Sequence, residues 1–203
     1  MMGVENEGLP PLCWPDLPDA SARSNWYRLV IAAYADSWEG HPSAPRIAPA
    51  PEASIAECEA RIGCELPEGL ARYHREFGAL SLSETLCSVS PEGSEPIQPL
   101  IDAYPGLAER ELSVEEQALA EQMVAFSDYL GNGNMFCFHR ETKAVWYFDH
   151  DADPALTLFS ADVPDYLDAL MLKMLAEVHD EEEKGEALLV EKFGKALVRK
   201  WIY

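Results

Sequence analysis

The chain has 203 residues, of which 48% are hydrophobic and 25% are charged, a composition typical of a globular domain with a full core. Acidic residues outnumber basic ones by 36 to 15, and the formal net charge is −21. Nucleic acids and anionic lipids both need cationic contacts, so this charge disfavours them as partners and favours a basic protein. Acidity also keeps proteins soluble, and composition alone leaves that simpler explanation open.

The chain lacks the features of membrane and secreted proteins. No apolar run approaches the roughly 20 residues that a membrane helix needs, and the first residues have neither the basic region nor the apolar region of a signal peptide. The cysteines are odd in number, scattered and never spaced C-x-x-C, which is typical of reduced thiols rather than disulfides or zinc knuckles. These features predict a cytoplasmic protein.

Four parts are predicted along the chain. The stretch from Ser24 to Trp38 has apolar residues at helical spacing, which predicts one helix in an N-terminal extension, residues 1–39. A proline-rich stretch then predicts a semi-rigid linker at residues 40–51. A main domain is expected at residues 52–178, followed by a C-terminal helix within residues 179–203.

Helix ends are marked clearly at the start of the main domain. Ser54 and Glu57 have the S-x-x-E spacing of a capping box, which predicts the beginning of a short helix that Gly63 ends. Pro67 suits the first turn of a second helix, which Gly78 ends.

Later elements are predicted by the same rules. A strand is expected from Leu82 to Val89, a second capping-box helix from Ser113 to about Glu121, and a long helix from Val163 to Val178. A last helix, from Glu186 to Ile202, has an apolar stripe that either packs on the domain or forms an exposed interface. The stripe consists of Val190, Phe193, Leu197 and Trp201.

An aromatic hairpin is predicted at the centre of a sheet. The turn at residues 140–143 joins two apolar runs, so Cys137 should pair with Trp146 and His139 with Ala144. Side chains alternate along strands, and both faces of this hairpin are apolar, so both should be covered. The long helix is expected to cover one face, and a terminal extension the other.

Possible metal ligands in and after this hairpin have unsuitable spacing. Cys137 and His139 share a face, but His150 should lie about 13 Å away, too far to share a zinc ion. Asp149, Asp151 and Asp153 resemble the start of a calcium loop. That loop needs glycine at its sixth position and glutamate at its twelfth, where this chain has proline and serine. No metal site is predicted, and the aspartates are expected to form a solvated loop or a partner-facing edge.

Catalytic motifs are also missing from the sequence. It contains no G-x-S-x-G, no phosphate-binding glycine loop and no H-E-x-x-H. Cys137 is expected to be a buried thiol rather than a nucleophile, because it lies within an aromatic hairpin. No catalytic residue and no cofactor are predicted.

The order of the elements resembles the SUKH superfamily, which includes fungal cell-wall assembly regulators. Residues 54–80 are similar to its acidic first helix, its G-x-x-L-P step and its aromatic second helix. Residues 123–151 are similar to its strand, glycine turn and aromatic hairpin ending in an acidic segment, and residues 158–171 to its closing helix. Residues 90–111 do not align with the family pattern, and the two terminal extensions lie outside it.

This resemblance implies an α+β fold with a single, mostly antiparallel sheet packed against helices, and no catalytic residues. It also implies function through a binding surface. Bacterial members of the superfamily are mostly immunity proteins that neutralise toxins from neighbouring cells, often nucleases, whereas eukaryotic relatives are signalling or assembly modules. Two hypotheses follow: a cytoplasmic immunity protein that blocks the active site of a toxin, or a regulatory or scaffolding module. An enzyme is a third alternative.

The expected partner is a basic toxin domain. Residues 76–139 contain eleven acidic residues and one basic residue, Arg110. Carboxylates can replace phosphates in the cationic groove of a nuclease. The predicted contact residues are Glu92, Glu95, Asp149, Asp151 and Asp153. The sequence leaves the oligomeric state open.

Overall fold

The computed structural model describes residues 9–42, 44–93, 95–110, 112–128 and 131–202. It confirms the predicted α+β fold, with one antiparallel sheet and helices on both of its faces. The strands are β1 (Thr85–Leu86), β2 (Gln98–Pro99), β3 (Met123–Asp128), β4 (Met135–His139), β5 (Val145–Phe148) and β6 (Leu156–Ser160). The helices are α1 (Ala20–Ser37), α2 (Glu52–Ile62), α3 (Glu68–Glu76), α4 (Leu100–Ala103), α5 (Val114–Glu121), α6 (Val163–His179), α7 (Glu182–Phe193) and α8 (Lys195–Ile202), with a 3-10 helix at Pro105–Glu109.

The sheet has the strand order β1–β3–β4–β5–β6, and β2 also pairs with β3. The central hairpin is β4–β5, and its register is the predicted one. Cys137 lies opposite Trp146. The His139 amide donates a hydrogen bond to the Ala144 carbonyl at 2.9 Å. Since the side-chain period of a strand is two, this register decides which residues face each side of the sheet.

The two faces of the hairpin belong to two separate cores. On one face, Phe136, Phe138 and Tyr147 pack with α6 in the larger core. On the other, Cys137 and Phe148 pack in a smaller core, which includes residues of α4, the 3-10 helix and α5. The prediction that a terminal extension covers this second face is therefore wrong. The cover comes largely from these short helices, which precede β3 in the chain.

The terminal helices instead pack on α6. This helix is buried on nearly all sides, since eleven of its 17 residues are buried. A helix that is apolar all round needs partners beyond the sheet. The helices α1 and α7 contact it and supply this outer layer.

Local hydrogen bonds correct the predicted beginning of α2. Pro51 stands at the N-cap in an extended conformation, no side chain caps the helix, and Ser54 lies inside it. The Pro51 carbonyl accepts a hydrogen bond from the Ser54 amide at 3.0 Å, which is a helical contact. The Ser54–Glu57 capping box is therefore wrong. At the other end Gly63 adopts φ 72° and ends the helix as predicted.

The capping box before α5 is confirmed. The Ser113 hydroxyl accepts a hydrogen bond from the Glu116 amide at 3.2 Å, and the Glu116 carboxylate accepts one from the Ser113 amide at 3.1 Å. This reciprocal pair satisfies two donors that a helix N-terminus would otherwise leave unpaired.

Two predicted elements are shorter than expected. The strand predicted at Leu82–Val89 is reduced to β1, because the Leu82 amide bonds the Glu84 carbonyl and the chain turns there. The single C-terminal helix is split into α7 and α8 at Gly194, which has φ 85° and ψ 147°. Its apolar stripe packs on the domain, with Trp201 fully buried, rather than forming an exposed interface.

The N-terminal region packs on the rest of the molecule and forms hydrogen bonds with it. The helix α1 begins four residues earlier than Ser24, at an N-cap where the Asp19 carboxylate accepts from the Ala22 amide at 2.8 Å. Along the proline-rich stretch, the Ala48 and Ala50 amides donate to carbonyls at the end of α3, at 2.9 and 2.8 Å.

The four-part division of the chain stays a prediction. Among the described residues, no helix has the length and apolarity needed to cross a membrane.

Candidate partner-binding surface

Acidic side chains gather at one end of the sheet. Asp128 pairs with Met135, and Met135 pairs with Phe148, so the end of β3, the start of β4 and the end of β5 lie side by side. The β5–β6 loop leaves the sheet at this point. We call this surface the acidic end, and it consists of Glu95, Asp128, Asp149, Asp151 and Asp153.

Arg110 fixes the backbone of the β5–β6 loop. Its guanidinium donates hydrogen bonds to the carbonyl of His150 and, at 2.8 Å, to the carbonyl of Ala152. Hydrogen bonds from a charged donor are stronger than neutral ones. Arg110, the one base in an acidic stretch, therefore binds main-chain oxygens. It does not neutralise the carboxylates of the loop.

Asn134 holds the loop from the β4 side. Its side-chain oxygen lies 3.1 Å from the His150 amide, which donates to it, and 2.8 Å from His150 Nδ1. Its amide nitrogen donates to the Tyr147 hydroxyl at 3.1 Å. The loop is thus held by side chains from outside it, and its shape is set before any partner binds.

The three loop aspartates differ in exposure. Asp149 is half-buried and accepts a hydrogen bond from the Asp151 amide at 3.0 Å, which forms a local turn. Asp151 has a side chain that is 87% exposed and lies 3.3 Å from the His150 ring. Asp153 is exposed. The carboxylates of Asp151 and Asp153 are therefore accessible to a partner.

Glu95 and Asp128 form a second acidic pair at the same end of the sheet. Each has one carboxylate oxygen that is buried and has no hydrogen-bond partner in the described part of the chain. Burial raises the pKa of Glu95, and the nearby Asp128 raises it further. Burial also raises the pKa of Asp128, against a backbone hydrogen bond from Gly131. A buried acceptor without a donor is unfavourable, so this pair would gain from an incoming cation.

The structure brings four of the five predicted contact residues to the acidic end, namely Glu95, Asp149, Asp151 and Asp153. Glu92 is exposed in the turn at residues 90–93, and its amide donates to the Ser90 hydroxyl at 3.3 Å. No described contact joins it to the others. Asp128, Arg110 and Asn134 were missed as site residues. The only signal for Arg110 was its isolation among acids, and Asn134 stood out only as part of a turn.

The residues that the sequence offers as possible metal ligands have other roles in the structure. Cys137 is fully buried in the smaller core, where burial raises the pKa of its thiol. His139 accepts hydrogen bonds at Nδ1 from the Glu141 and Thr142 amides, at 3.2 and 3.3 Å, and so shapes the hairpin turn. Within the residues that the structure describes, no three His, Cys, Asp or Glu side chains gather closely enough to hold a metal ion.

Comparison with known families assigns the centre of the chain. The model of the SMI1 / KNR4 family (SUKH-1) matches residues 49–169, which is more than half of the chain. The match runs from just before α2 into α6 and leaves out α1, α7 and α8. No curated protein matches the chain.

Proposed function

Because the chain belongs to the SMI1 / KNR4 family (SUKH-1), we propose that it is a non-catalytic immunity protein that binds a toxin domain in the cytoplasm and blocks its active site. The family is also compatible with a regulatory role, so the choice between the two depends on the surface of this chain. Function on a shared fold is carried by the site and not by the fold itself.

The acidic end is the observation that carries the proposal. Among the described residues, Glu95 and Asp128 keep buried carboxylate oxygens without donors, at the same end of the sheet as a loop whose outer aspartates face solvent. Like charges held together repel each other, and a cationic partner relieves both the repulsion and the missing hydrogen bonds. A surface of this kind suits a groove lined with Arg and Lys.

The toxin that fits this surface is a basic, nucleic-acid-cleaving domain. Such an enzyme holds phosphates in a cationic groove, and carboxylates can occupy the same groove through charge-assisted hydrogen bonds. We therefore propose that the acidic end fills the substrate groove, and that neither nucleic acid nor membrane is a partner of this chain.

Neutralisation in cells is the first test. The candidate toxin is the product of a toxin-like reading frame beside the gene for this chain, expressed with and without the chain. Survival only in the presence of the chain is the expected result. If the neighbouring product is harmless and the chain binds a non-toxic partner in an exchangeable way, the regulatory role is the correct one.

Charge reversal at the loop is the second test. Changing Asp149, Asp151 and Asp153 to Lys should slow association with the purified toxin at least about tenfold, because steering by opposite charges is lost. The wild-type rate should also fall as salt rises past physiological strength.

A matched control separates the surface from the net charge. Glu57, Glu65 and Glu191 are exposed acids outside the acidic end, and changing them to Lys alters the formal charge by the same amount. This control should bind nearly as fast as the wild type. Equal loss in both triple variants, an acidic partner, or indifference to salt would contradict recognition through the acidic end.

A further inference from the structure

A cleft of about 340 Å³ lies at the opposite end of the β4–β5 hairpin from the acidic end. Its walls come from α1, α3 and the start of α6, and the hairpin turn contributes Lys143. Pockets of this size hold small organic ligands. We call it the α1–α3–α6 cleft.

The walls of the cleft are held in place by polar contacts. The Arg23 guanidinium donates to both oxygens of the Asp168 carboxylate, at 3.0 and 3.2 Å, and the Tyr27 hydroxyl donates to the same carboxylate at 2.6 Å. These bonds fix α1 against α6. On the other side, a Cβ added to Gly69 would lie 2.8 Å from the Pro164 ring, so α3 meets α6 at close range. The cleft is preformed.

The lining combines an aromatic surface with cations. Tyr27, Tyr73 and Phe77 line it together with aliphatic residues of α6. Three bases also line it, although the whole chain has only 15 bases against 36 acids. The bases are Arg23, Arg72 and Lys143.

Arg23 is already paired with Asp168. Arg72 and Lys143 are therefore the bases that the two acids of the lining could compensate, and these acids do so only in part. Asp162 is occupied as the N-cap of α6, where it accepts from the Asp165 amide at 3.0 Å. Glu68 bonds Arg72 at 2.8 Å, but its side chain is 83% exposed. An ion pair that open to solvent is weak, so Arg72 can exchange it for a ligand anion.

Tyr73 lines the cleft and has a hydroxyl that a ligand could satisfy. Its side chain is 1% exposed, and its hydroxyl is buried with no hydrogen-bond partner among the described residues. Burial raises the pKa of Tyr73, so the hydroxyl keeps its proton and can donate it in a hydrogen bond. Buried polar groups are nearly always paired, so a ligand atom that reached this hydroxyl would satisfy an otherwise unpaired donor.

We propose that the α1–α3–α6 cleft binds a small organic acid. The apolar body of the ligand packs on Tyr27 and Phe77, its carboxylate pairs with Arg72 and Lys143, and a polar atom of the ligand meets the Tyr73 hydroxyl. Because α1 lies outside the family match, one wall of this site comes from a part of the chain that the family model does not cover. The site is independent of the toxin-binding role.

Paired probes test the proposal by nuclear magnetic resonance titration of the full chain. The carboxylate probe is 3-phenylpropionate, and the neutral probe of the same shape is 3-phenylpropionamide. The carboxylate should bind saturably and shift the amides of α1, α3 and the start of α6. The amide should bind at least about tenfold more weakly, because a charge-assisted hydrogen bond is lost. Equal binding of the two probes, or none, overturns the proposal.

Matched variants on α3 locate the anion. Arg72→Gln should weaken binding of 3-phenylpropionate about tenfold, for the same reason. Arg75→Gln should leave it unchanged, because Arg75 pairs with Glu52 at 2.7 Å and does not line the cleft. Equal effects of the two variants contradict an anion held by Arg72.

Tyr73→Phe tests the hydroxyl without endangering the fold. This variant removes an unpaired buried group, so its melting temperature should equal or exceed that of the wild type while its affinity for the carboxylate falls severalfold. If a short peptide with an aromatic and an acidic residue shifts the cleft amides and the free acids do not, the cleft is a protein-docking site and the proposal is wrong.

Discussion

The two ends of the β4–β5 hairpin differ in whether their charged side chains are paired. At the acidic end, Arg110 binds backbone carbonyls, and Glu95 and Asp128 each keep one oxygen without a donor in the part of the chain that the structure describes. At the cleft end, Arg23 is paired bidentately with Asp168 across two helices. One end exposes carboxylates on a loop that hydrogen bonds hold in place. At the other end, an ion pair joins two helices that form walls of the cleft.

A third carboxylate shows that the unpaired state at the acidic end is not a general property of buried acids here. Glu84 is 1% exposed, but it accepts hydrogen bonds from the Tyr166 hydroxyl at 2.7 Å and from the Trp201 indole. Lys173 lies 3.7 Å from it. This fold can satisfy a deeply buried carboxylate fully. The unpaired oxygens of Glu95 and Asp128 are therefore a local feature of the acidic end.

The largest expected effect comes from breaking the cleft end. Arg23→Ala leaves the Asp168 carboxylate, whose side chain is 7% exposed, without its cation and should lower the free energy of unfolding by about 3 kcal/mol. The matched control is Arg28→Ala on the same helix, whose exposed pair with Glu76 spans 3.5 Å and should contribute less than about 0.5 kcal/mol. Urea denaturation measures both, and equal losses would contradict a structural role for the Arg23–Asp168 pair.

A second prediction uses pH to test the helix that lines the cleft. His74 is buried, both ring nitrogens lack partners among the described residues, and burial lowers its pKa from 6.5 to about 4. The folded state therefore binds fewer protons than the unfolded state between these values. Stability contributed by neutral His74 is present above pH 6.5 and is lost as pH falls, by about 2 kcal/mol at pH 5.

The measurement compares wild type and His74→Leu at pH 7 and pH 5. The variant should be at least as stable at pH 7, because it removes unpaired polar atoms, and it should lose less stability than the wild type on acidification. Buried acids with raised pKa values, such as Glu84, act in the opposite direction in both proteins, so the difference between the two isolates His74. Parallel pH profiles would show that His74 titrates normally.

The smallest effect is expected when the acidic end is loosened. Arg110→Ala removes two charge-assisted bonds to loop carbonyls, but the loop is exposed and can be solvated by water, so global stability should fall by only about 1 kcal/mol. Hydrogen exchange should quicken in residues 149–153 and stay unchanged in α1 and α3. Faster exchange throughout the molecule would mean that Arg110 supports the whole core.

Strong periodic patterns made much of the fold predictable. The apolar repeat of α6 and the alternation in β4 and β5 gave correct elements and a correct register, because burial on those faces leaves few alternatives. The failures lay where one backbone contact decided the outcome. Pro51 in extended conformation began α2 before Ser54, and Gly194 split the last helix.

The sequence predicted only those site residues that a local pattern in the chain indicates. Asp149, Asp151 and Asp153 follow a strand directly, so the sequence alone marks them as surface carboxylates. Arg110 acts on carbonyl oxygens 40 and 42 residues away, and carbonyl oxygens carry no signature in a sequence. The α1–α3–α6 cleft needs three helices separated along the chain, so no single stretch could indicate it.

Arg110 contacts carbonyls of the β5–β6 loop and not its side chains. The shape of the loop therefore depends little on which side chains it carries. Every residue type carries the carbonyl that Arg110 binds, so the side chains at Asp151 and Asp153 can be replaced while the main chain keeps its course. Such a loop can acquire new specificity by successive substitutions without passing through a misfolded intermediate. It is also a natural place to randomise residues when the molecule is redesigned to recognise a different target.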